Sequence, residues 1–337
     1  MAYKKVSLFY IFLLLFIQVN GQIKSSKFFY PGKIWIDNQG KPIQAHGGGV
    51  IYHNGVYYWY GENKDTVTTN QNTGFKGVSC YSSKDLYTWK NEGMVLRKVT
   101  TDANHDLHPS KIVERPKVIY NDENKQFVMW MHIDQQGYKY ARQGVAISKN
   151  PTGPFEFINS VRPNGFESRD MTIFKDDDGK AYAIYSSENN KTLHLSILTD
   201  DYLEHSGTYK RIMVDMSREA PAIFKSRGKY FLITSFCTGW LPNPAHYAIA
   251  DSIMGNWKDI ENPCKGVGAE TTFGAQSTFV LPIEGRNESF IFMADKWDPK
   301  NLSDSRYVWL PIQFNGNNLH IKWSEKWSLD FFKRFSW

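Results

Sequence analysis

One hairpin, returning five times, constrains this chain more than any other feature. Each copy has a polar residue or glycine at its head, an apolar strand, a polar turn and an aromatic-rich return strand. The first runs Gly48-Gly49-Val50-Ile51-Tyr52, turns at His53-Asn54-Gly55 and returns as Val56-Tyr57-Tyr58-Trp59-Tyr60. The second is headed by Glu114, with strands over 116–120 and 126–130. The third is headed by Asp170, turns at Asp176-Asp177-Asp178-Gly179 and returns over 181–185. The fourth is headed by Glu219, with Pro221-Ala222-Ile223-Phe224 answered by Tyr230-Phe231-Leu232-Ile233. The fifth is headed by Gln276 and pairs 277–280 with 290–293. A weaker third strand follows each hairpin, for example at 77–82, 144–148 and 247–250, and aromatic closing strands are expected at Trp89 and Trp257, with Phe155 in a comparable place.

The heads Glu114, Asp170, Glu219 and Gln276 are 56, 49 and 57 residues apart. Four strands and their loops fit such a repeat, and four-stranded sheets repeated around an axis form a β-propeller. The expected fold is therefore all-β, a five-bladed β-propeller filling residues 22–337 as one domain. A β-sandwich with long insertions would leave the repeated polar heads unexplained. In a propeller the first strand of every blade lines the central channel. His46 to Gly48, Glu114, Asp170, Glu219 and Gln276 would then meet in one funnel, although they are far apart in sequence. One polar head alone would cap a strand or hold a water. Carboxylates gathered together raise one another's pKa, which is useful where a carboxylic acid must stay protonated near neutral pH. Glycoside hydrolysis needs such an acid, together with a second group that guides water or attacks.

Composition excludes several alternatives. The net charge is +6, and the Lys and Arg form no block, so a nucleic-acid partner is not expected. Lys4 and Lys5, an apolar run over 8–17 and Val19-Asn20-Gly21 have the order of a secretory signal peptide over 1–21. The run is shorter than the roughly 20 apolar residues of a membrane span. A secreted or periplasmic protein without stable membrane insertion is expected, acting as a monomer. Cys80, Cys237 and Cys264 allow at most one internal disulfide, and buried free thiols are the simpler expectation. His105-Asp106-Leu107-His108 has no third ligand cluster near it and reads as a solvated loop, so no metal is expected.

The same segments resemble glycoside hydrolase family 43, and within it the exo-β-1,3-galactanase branch. The resemblance rests on Ala45-His46-Gly47-Gly48-Gly49, Tyr57-Tyr58-Trp59-Tyr60-Gly61-Glu62, Glu114-Arg115-Pro116-Lys117-Val118, Ser168-Arg169-Asp170-Met171, Ser217-Arg218-Glu219-Ala220-Pro221 and Gly274-Ala275-Gln276-Ser277. It runs from about residue 30 to the end of the chain and involves all five blades. It implies an enzyme without an organic cofactor that releases galactose from the non-reducing end of β-1,3-galactan, with inversion. Glu219 matches the general acid, Glu114 a second carboxylate of the site, and Asp170 a substrate-contacting acid. Tyr138 and Thr238 match contacts to the terminal sugar. The first-blade Asp of most of the family is missing, and the Ala-His-Gly-Gly-Gly stretch stands in its place. In this branch a Gln at the head of the fifth blade, here Gln276, lies near the attacking water. Either Gln276 acts in an unusual tautomer, or it orients water while Glu114 accepts the proton. His46 is expected to face the channel beside the substrate, its imidazole bonded to backbone, and Trp240 to stack on a sugar ring. Two other readings stay open: an α-L-arabinofuranosidase or β-xylosidase on the same fold, and a non-catalytic glycan-binding propeller.

Overall fold

The computed structural model describes residues 27–65 and 74–334, so the signal peptide expected over 1–21 lies outside the described residues. The described chain forms five antiparallel sheets of consecutive strands. Blade 1 contains β1 (His46–His53), β2 (Val56–Glu62), β3 (Gly77–Ser83) and β4 (Lys90–Arg97). Blade 2 contains β5 (Ile112–Asn121), β6 (Gln126–Asp134), β7 (Arg142–Ser148) and β8 (Glu156–Val161). Blade 3 contains β9 (Met171–Lys175), β10 (Ala181–Ser187), β11 (Thr192–Leu198) and β12 (His205–Ile212). Blade 4 contains β13 (Arg218–Ser226), β14 (Lys229–Phe236), β15 (His246–Ala250) and β16 (Lys258–Glu261). Blade 5 contains β18 (Gln276–Pro282), β19 (Phe290–Lys296), β20 (Arg306–Asn315) and β21 (Asn318–Lys322), with the two-residue β17 (Cys264–Lys265) added in parallel to β21. The first strands touch their neighbours in a closed ring, β1–β5–β9–β13–β18–β1. This is the expected five-bladed propeller.

The apolar core divides into five clusters, and each cluster lies between two blades. The aromatic return strands explain this placement. Alternate residues of a strand point to opposite faces, so each blade presents apolar side chains to both neighbours. The seam between blades 5 and 1 holds Trp59, Trp89 and Trp309, all nearly without exposure. The segment before β1 closes that seam. Phe29 pairs through its backbone with Trp327 and stacks on its indole at 4.5 Å. Burying one such aromatic side chain stabilises the fold by roughly 1.5–3 kcal/mol.

The aromatic closing residues lie elsewhere than expected. Trp89, Phe155 and Trp257 each precede the outermost strand by one residue instead of sitting within it. Outer strands are exposed and polar along most of their length. An aromatic ring finds burial only by folding under the strand's first residue, as Trp89 and Phe155 do. All three cysteines are free, Cys80 and Cys264 buried and Cys237 half-buried.

A β-bulge lies immediately after the head residue in three inner strands and one residue further on in β18. Register shifts occur after His46 in β1, Glu114 in β5, Glu219 in β13 and Ser277 in β18. In three of them the first bulge residue is left-handed: Gly47 at φ 60°, Arg115 at φ 55° and Ala220 at φ 54°. The second is Gly48, Pro116 or Pro221. Proline suits a bulge because it has no N–H to leave unpaired. Each bulge frees one N–H, and a carboxylate from the preceding blade accepts it. Gly47 donates to Asp295 Oδ2 (2.8 Å), Arg115 to Glu62 Oε1 (3.0 Å) and Ala220 to Asp170 Oδ2 (3.1 Å).

The glycines of blade 1 are required by contact. A Cβ on Gly48 would lie 1.7 Å from the Tyr60 carbonyl oxygen, whereas one on Gly55, in the β1–β2 turn, would meet nothing within 4 Å. Gly48→Ala is expected to cost more than about 4 kcal/mol in denaturant unfolding. Gly55→Ala, strained only by its left-handed backbone, should cost roughly 1–2 kcal/mol. Equal losses would show that the close approach at Gly48 is not what fixes this strand.

Candidate active site

The bulges turn the head residues into the funnel. A regular strand would send Glu114 and Arg115 to opposite faces, but the extra residue lets both reach the same space. A cavity of about 420 Å³ opens there, with Glu114, Arg115, Asp170, Glu219, Gln276 and Trp240 in its wall.

Glu219 Oε1 accepts a hydrogen bond from Gln276 Nε2 at 2.9 Å, and the same nitrogen donates to Ser235 Oγ at 3.1 Å. Burial, with the nearby Asp170 charge, pushes the Glu219 carboxyl up to about 8, against the opposing pull of Arg115 and the bonds from Cys237 and Gln276. Arg115, 5% exposed, holds Asp170 with a fork: Nε to Oδ1 at 3.1 Å and Nη2 to Oδ2 at 2.9 Å.

Glu114 has the opposite character. Its Oε1 accepts from the Tyr138 hydroxyl at 3.0 Å, and its Oε2 lies 3.3 Å from His132 Nδ1. The other ring nitrogen of His132 lies 2.9 Å from Asp134 Oδ2. Burial alone would raise Glu114. The hydrogen bond and charge of His132, together with Lys64 and Tyr138, outweigh it and hold the carboxyl down at about 2. Burial would likewise lower His132, but the two flanking carboxylates raise it to about 9. One cavity thus contains a carboxylic acid and a carboxylate, separated by their surroundings, which is the arrangement acid–base chemistry requires. Glu62, from β2, forms an ion pair with Lys64 at 2.6 Å.

Six of the residues singled out in the sequence line this cavity: Glu219, Gln276, Glu114, Asp170, Tyr138 and Trp240. Trp240 is 37% exposed and stands edge-on to Trp297, ring centroids 5.8 Å apart. Two residues do not reach it. His46 has no exposure; its Nδ1 lies 3.2 Å from Asp295 Oδ1 and its ring stacks on Tyr307 at 4.9 Å. The bulge after it turns the imidazole into the seam between blades 5 and 1, where it meets a side-chain carboxylate instead of backbone. Thr238 stays in its own loop. Its hydroxyl donates to Leu241 O at 2.5 Å and accepts from Asn243 Nδ2 at 2.7 Å.

Sequence reasoning missed Arg115, His132, Glu62, Lys64, Cys237 and Trp297 as cavity residues. Arg115 and Glu62 stood inside quoted stretches, but only the bulge geometry gives them a role. His132 continues an apolar return strand and carries no separate signal. Glu114, His132 and Asp170 bring ligand-type atoms within 4.8 Å of one another. Asp170 is committed to Arg115 and His132 to two carboxylates, so the trio is occupied by protein partners. His105 and His108 serve their own turns, accepting the N–H of Leu107 and Ser110 respectively.

The model of glycosyl hydrolases family 43 matches residues 50–265. Among solved structures, a GH43 β-1,3-galactosidase with galactodeoxynojirimycin is 45% identical, with a TM-score of 0.84 over 89% of this chain and 100% of that one. The exo-β-1,3-galactanase of Phanerochaete chrysosporium, with β-1,3-galactotriose, is 36% identical, with a TM-score of 0.82 over 90% of this chain and 68% of that one. An exo-β-1,3-galactanase from Clostridium thermocellum is 38% identical, with a TM-score of 0.82 over 89% of this chain and 66% of that one. No curated protein sequence matches this chain.

Carbon-13 NMR of the glutamate carboxyls tests the electrostatics. Glu219 is expected to titrate at about 8, while Glu114 stays ionised down to about 2. His132→Gln removes the cation beside Glu114 and should raise that lower value while leaving Glu219 near its own. A Glu219 already ionised in mild acid would remove the basis for its acid role.

Proposed function

The chain belongs to glycosyl hydrolase family 43, and from that premise we propose an exo-acting galactan 1,3-β-galactosidase that releases galactose from non-reducing ends with inversion. The observation that carries this reading is Glu219: a half-buried carboxyl held protonated at neutral pH, bonded to Gln276 at the head of the neighbouring blade. Solved structures 36–45% identical to it include a β-1,3-galactosidase and exo-β-1,3-galactanases. Exo action fits a funnel with a filled floor. Below the cavity Lys117 is 1% exposed, and its Nζ donates to Gly47 O at 2.7 Å. A chain end can enter such a site, whereas the middle of a polysaccharide cannot thread it.

In the proposed reaction Glu219 gives its proton to the glycosidic oxygen as the bond from C1 breaks. Water adds to C1 from the opposite face, placed and activated by Gln276 with Glu114. Inversion requires room for that water, with about 6.5–9.5 Å between acid and base, a spacing that Gln276, bonded to Glu219 at 2.9 Å, does not itself provide. The ionised Glu114 and Asp170, with the Tyr138 hydroxyl, can take hydrogen bonds from the sugar. The Trp240–Trp297 pair offers ring faces for stacking at the cavity mouth. The substrate is a polysaccharide or oligosaccharide. We place the protein outside the cytoplasm, secreted or periplasmic, as a monomer after removal of residues 1–21.

Incubation with β-1,3-galactan should give galactose whose first-formed anomer, by proton NMR, is α. Glu219→Gln is expected to lose about 10³-fold or more in kcat. The rate should also fall as pH rises through about 8, because Glu219 then ionises and has no proton to give. Release of arabinose or xylose instead would reassign the substrate, and no release from any of these glycans would favour a glycan-binding propeller.

A further inference from the structure

A carboxamide at the water-side position poses a chemical problem, because an ordinary amide takes no proton from water near neutral pH. The neighbours of Gln276 narrow what it can do. An amide can be turned end for end, and its partners decide which end is oxygen. On one side stands Arg115, whose guanidinium has only donors; its Nη2 lies 2.5 Å from Gln276 Oε1. On the other side stand Glu219 Oε1 and Ser235 Oγ, both able to accept. Reversing the amide would press its NH2 against the guanidinium N–H groups. The imidic tautomer fares no better, since it would leave Nε2 a single hydrogen for its two acceptors, Glu219 Oε1 and Ser235 Oγ.

Arg115 is built to hold this orientation. Its left-handed bulge position aims the side chain across the funnel, and three of its other four donors are fixed, two by Asp170 and one by Ser277 O at 2.8 Å. Lysine, with a point charge in place of a planar fork, could not serve all three partners.

We propose that Arg115 is a positioning residue that locks Gln276 as an amide donor to Glu219, so that Gln276 aligns the attacking water without accepting its proton. The inference rests on the hydrolase reading above. Both Nε2 hydrogens are engaged, so water is held through the second lone pair of Oε1. That oxygen already faces a cation and is a poor base. The bond from water oxygen to C1 forms as the C1–glycosidic oxygen bond breaks. Glu219 protonates the departing oxygen, and the proton of the water passes to Glu114, an ionised carboxylate whose oxygens are held by His132 and Tyr138. Glu114 then loses its proton to solvent, and solvent returns one to Glu219.

Two measurements test this. In protein labelled with nitrogen-15 at glutamine, the Gln276 side chain, identified by its loss in Gln276→Glu, should show two hydrogens on Nε2 across the neutral range. A single N–H there would overturn the lock, and this readout needs no turnover. In steady-state kinetics on β-1,3-galactobiose, Arg115→Lys keeps the charge but loses the fork, and kcat should fall about 10²-fold with KM nearly unchanged. Adding Gln276→Ala to that variant should cost little more, because Arg115 acts through Gln276. Fully additive losses would mean that Arg115 merely supports the fold or Asp170, and would overturn the proposal. Azide should restore turnover to Glu114→Ala, forming α-galactosyl azide, and not to Gln276→Ala; the reverse result would return the proton to Gln276. A wild type inactive on the disaccharide, with the two-hydrogen signature intact, would refute the substrate while leaving the lock standing.

Discussion

Three hydrogen bonds, from a bulged N–H of one blade to a carboxylate of the blade before it, hold the site's geometry together. They join Asp295 to Gly47, Glu62 to Arg115 and Asp170 to Ala220. Left-handed backbone at Arg115 and Ala220 costs roughly 1–2 kcal/mol at each position. A charged acceptor recovers much of this, because hydrogen bonds to ionised groups contribute about 1.5–3 kcal/mol. The same contacts carry information from blade to blade. Asp170 receives the fork of Arg115 from blade 2 and the N–H of Ala220 from blade 4, so it fixes the spacing of two neighbours that never pair as strands.

The bulges also explain a gap in blade 1. The missing Asp at its first strand is not an empty place. Gly47 has no side chain because Glu62, reaching over from β2, occupies that space; a Cβ on Gly47 would lie 2.3 Å from Glu62 Oε1. The blade still brings a carboxylate to the funnel, but from its second strand and already tied to Lys64 and the Arg115 N–H. Burial drives Glu62 upward in spite of those partners and Glu219 up to about 8, while Glu114 is driven down. Desolvation acts on Glu219 and Glu114 alike. Their nearest partners decide the outcome, an amide and a thiol for Glu219 and an imidazolium for Glu114.

Much of the fold is legible in the sequence because the inner hairpins obey simple rules. Near-continuous apolar strands such as 230–233 can bury both faces only between neighbours, and Asn54-Gly55 and Asp178-Gly179 mark two of the turns that close the hairpins. The polar heads stand out against that pattern, and Glu114, Asp170, Glu219 and Gln276 all reach the cavity. The outer strands are harder to read. β12 and β16 are exposed and polar, and β11 has a histidine and a serine inside it. The bulges are invisible before the structure, because one inserted residue leaves no compositional trace beyond a proline. His46 was therefore expected in the funnel when the bulge sends it into the seam, and Arg115 was overlooked. Thr238 belongs to a loop whose shape depends on Asn243, several residues on, which no periodicity encodes.

The five apolar clusters lie between blades and not within them, and this sets where the protein can vary. A single blade removed from the ring would expose two raw faces and own no core, so the number of blades is fixed as a unit and folding is an all-or-none commitment of the ring. The loops at the funnel's rim share none of that obligation. The stretch 238–242, which carries Trp240, contributes no residue to the five apolar clusters, so its length and aromatic residues can change without opening the core, while Cys237 and Asn243 on either side stay tied to neighbouring blades. Stability and substrate choice are therefore held by different parts of the chain, and selection can alter the second without spending the first.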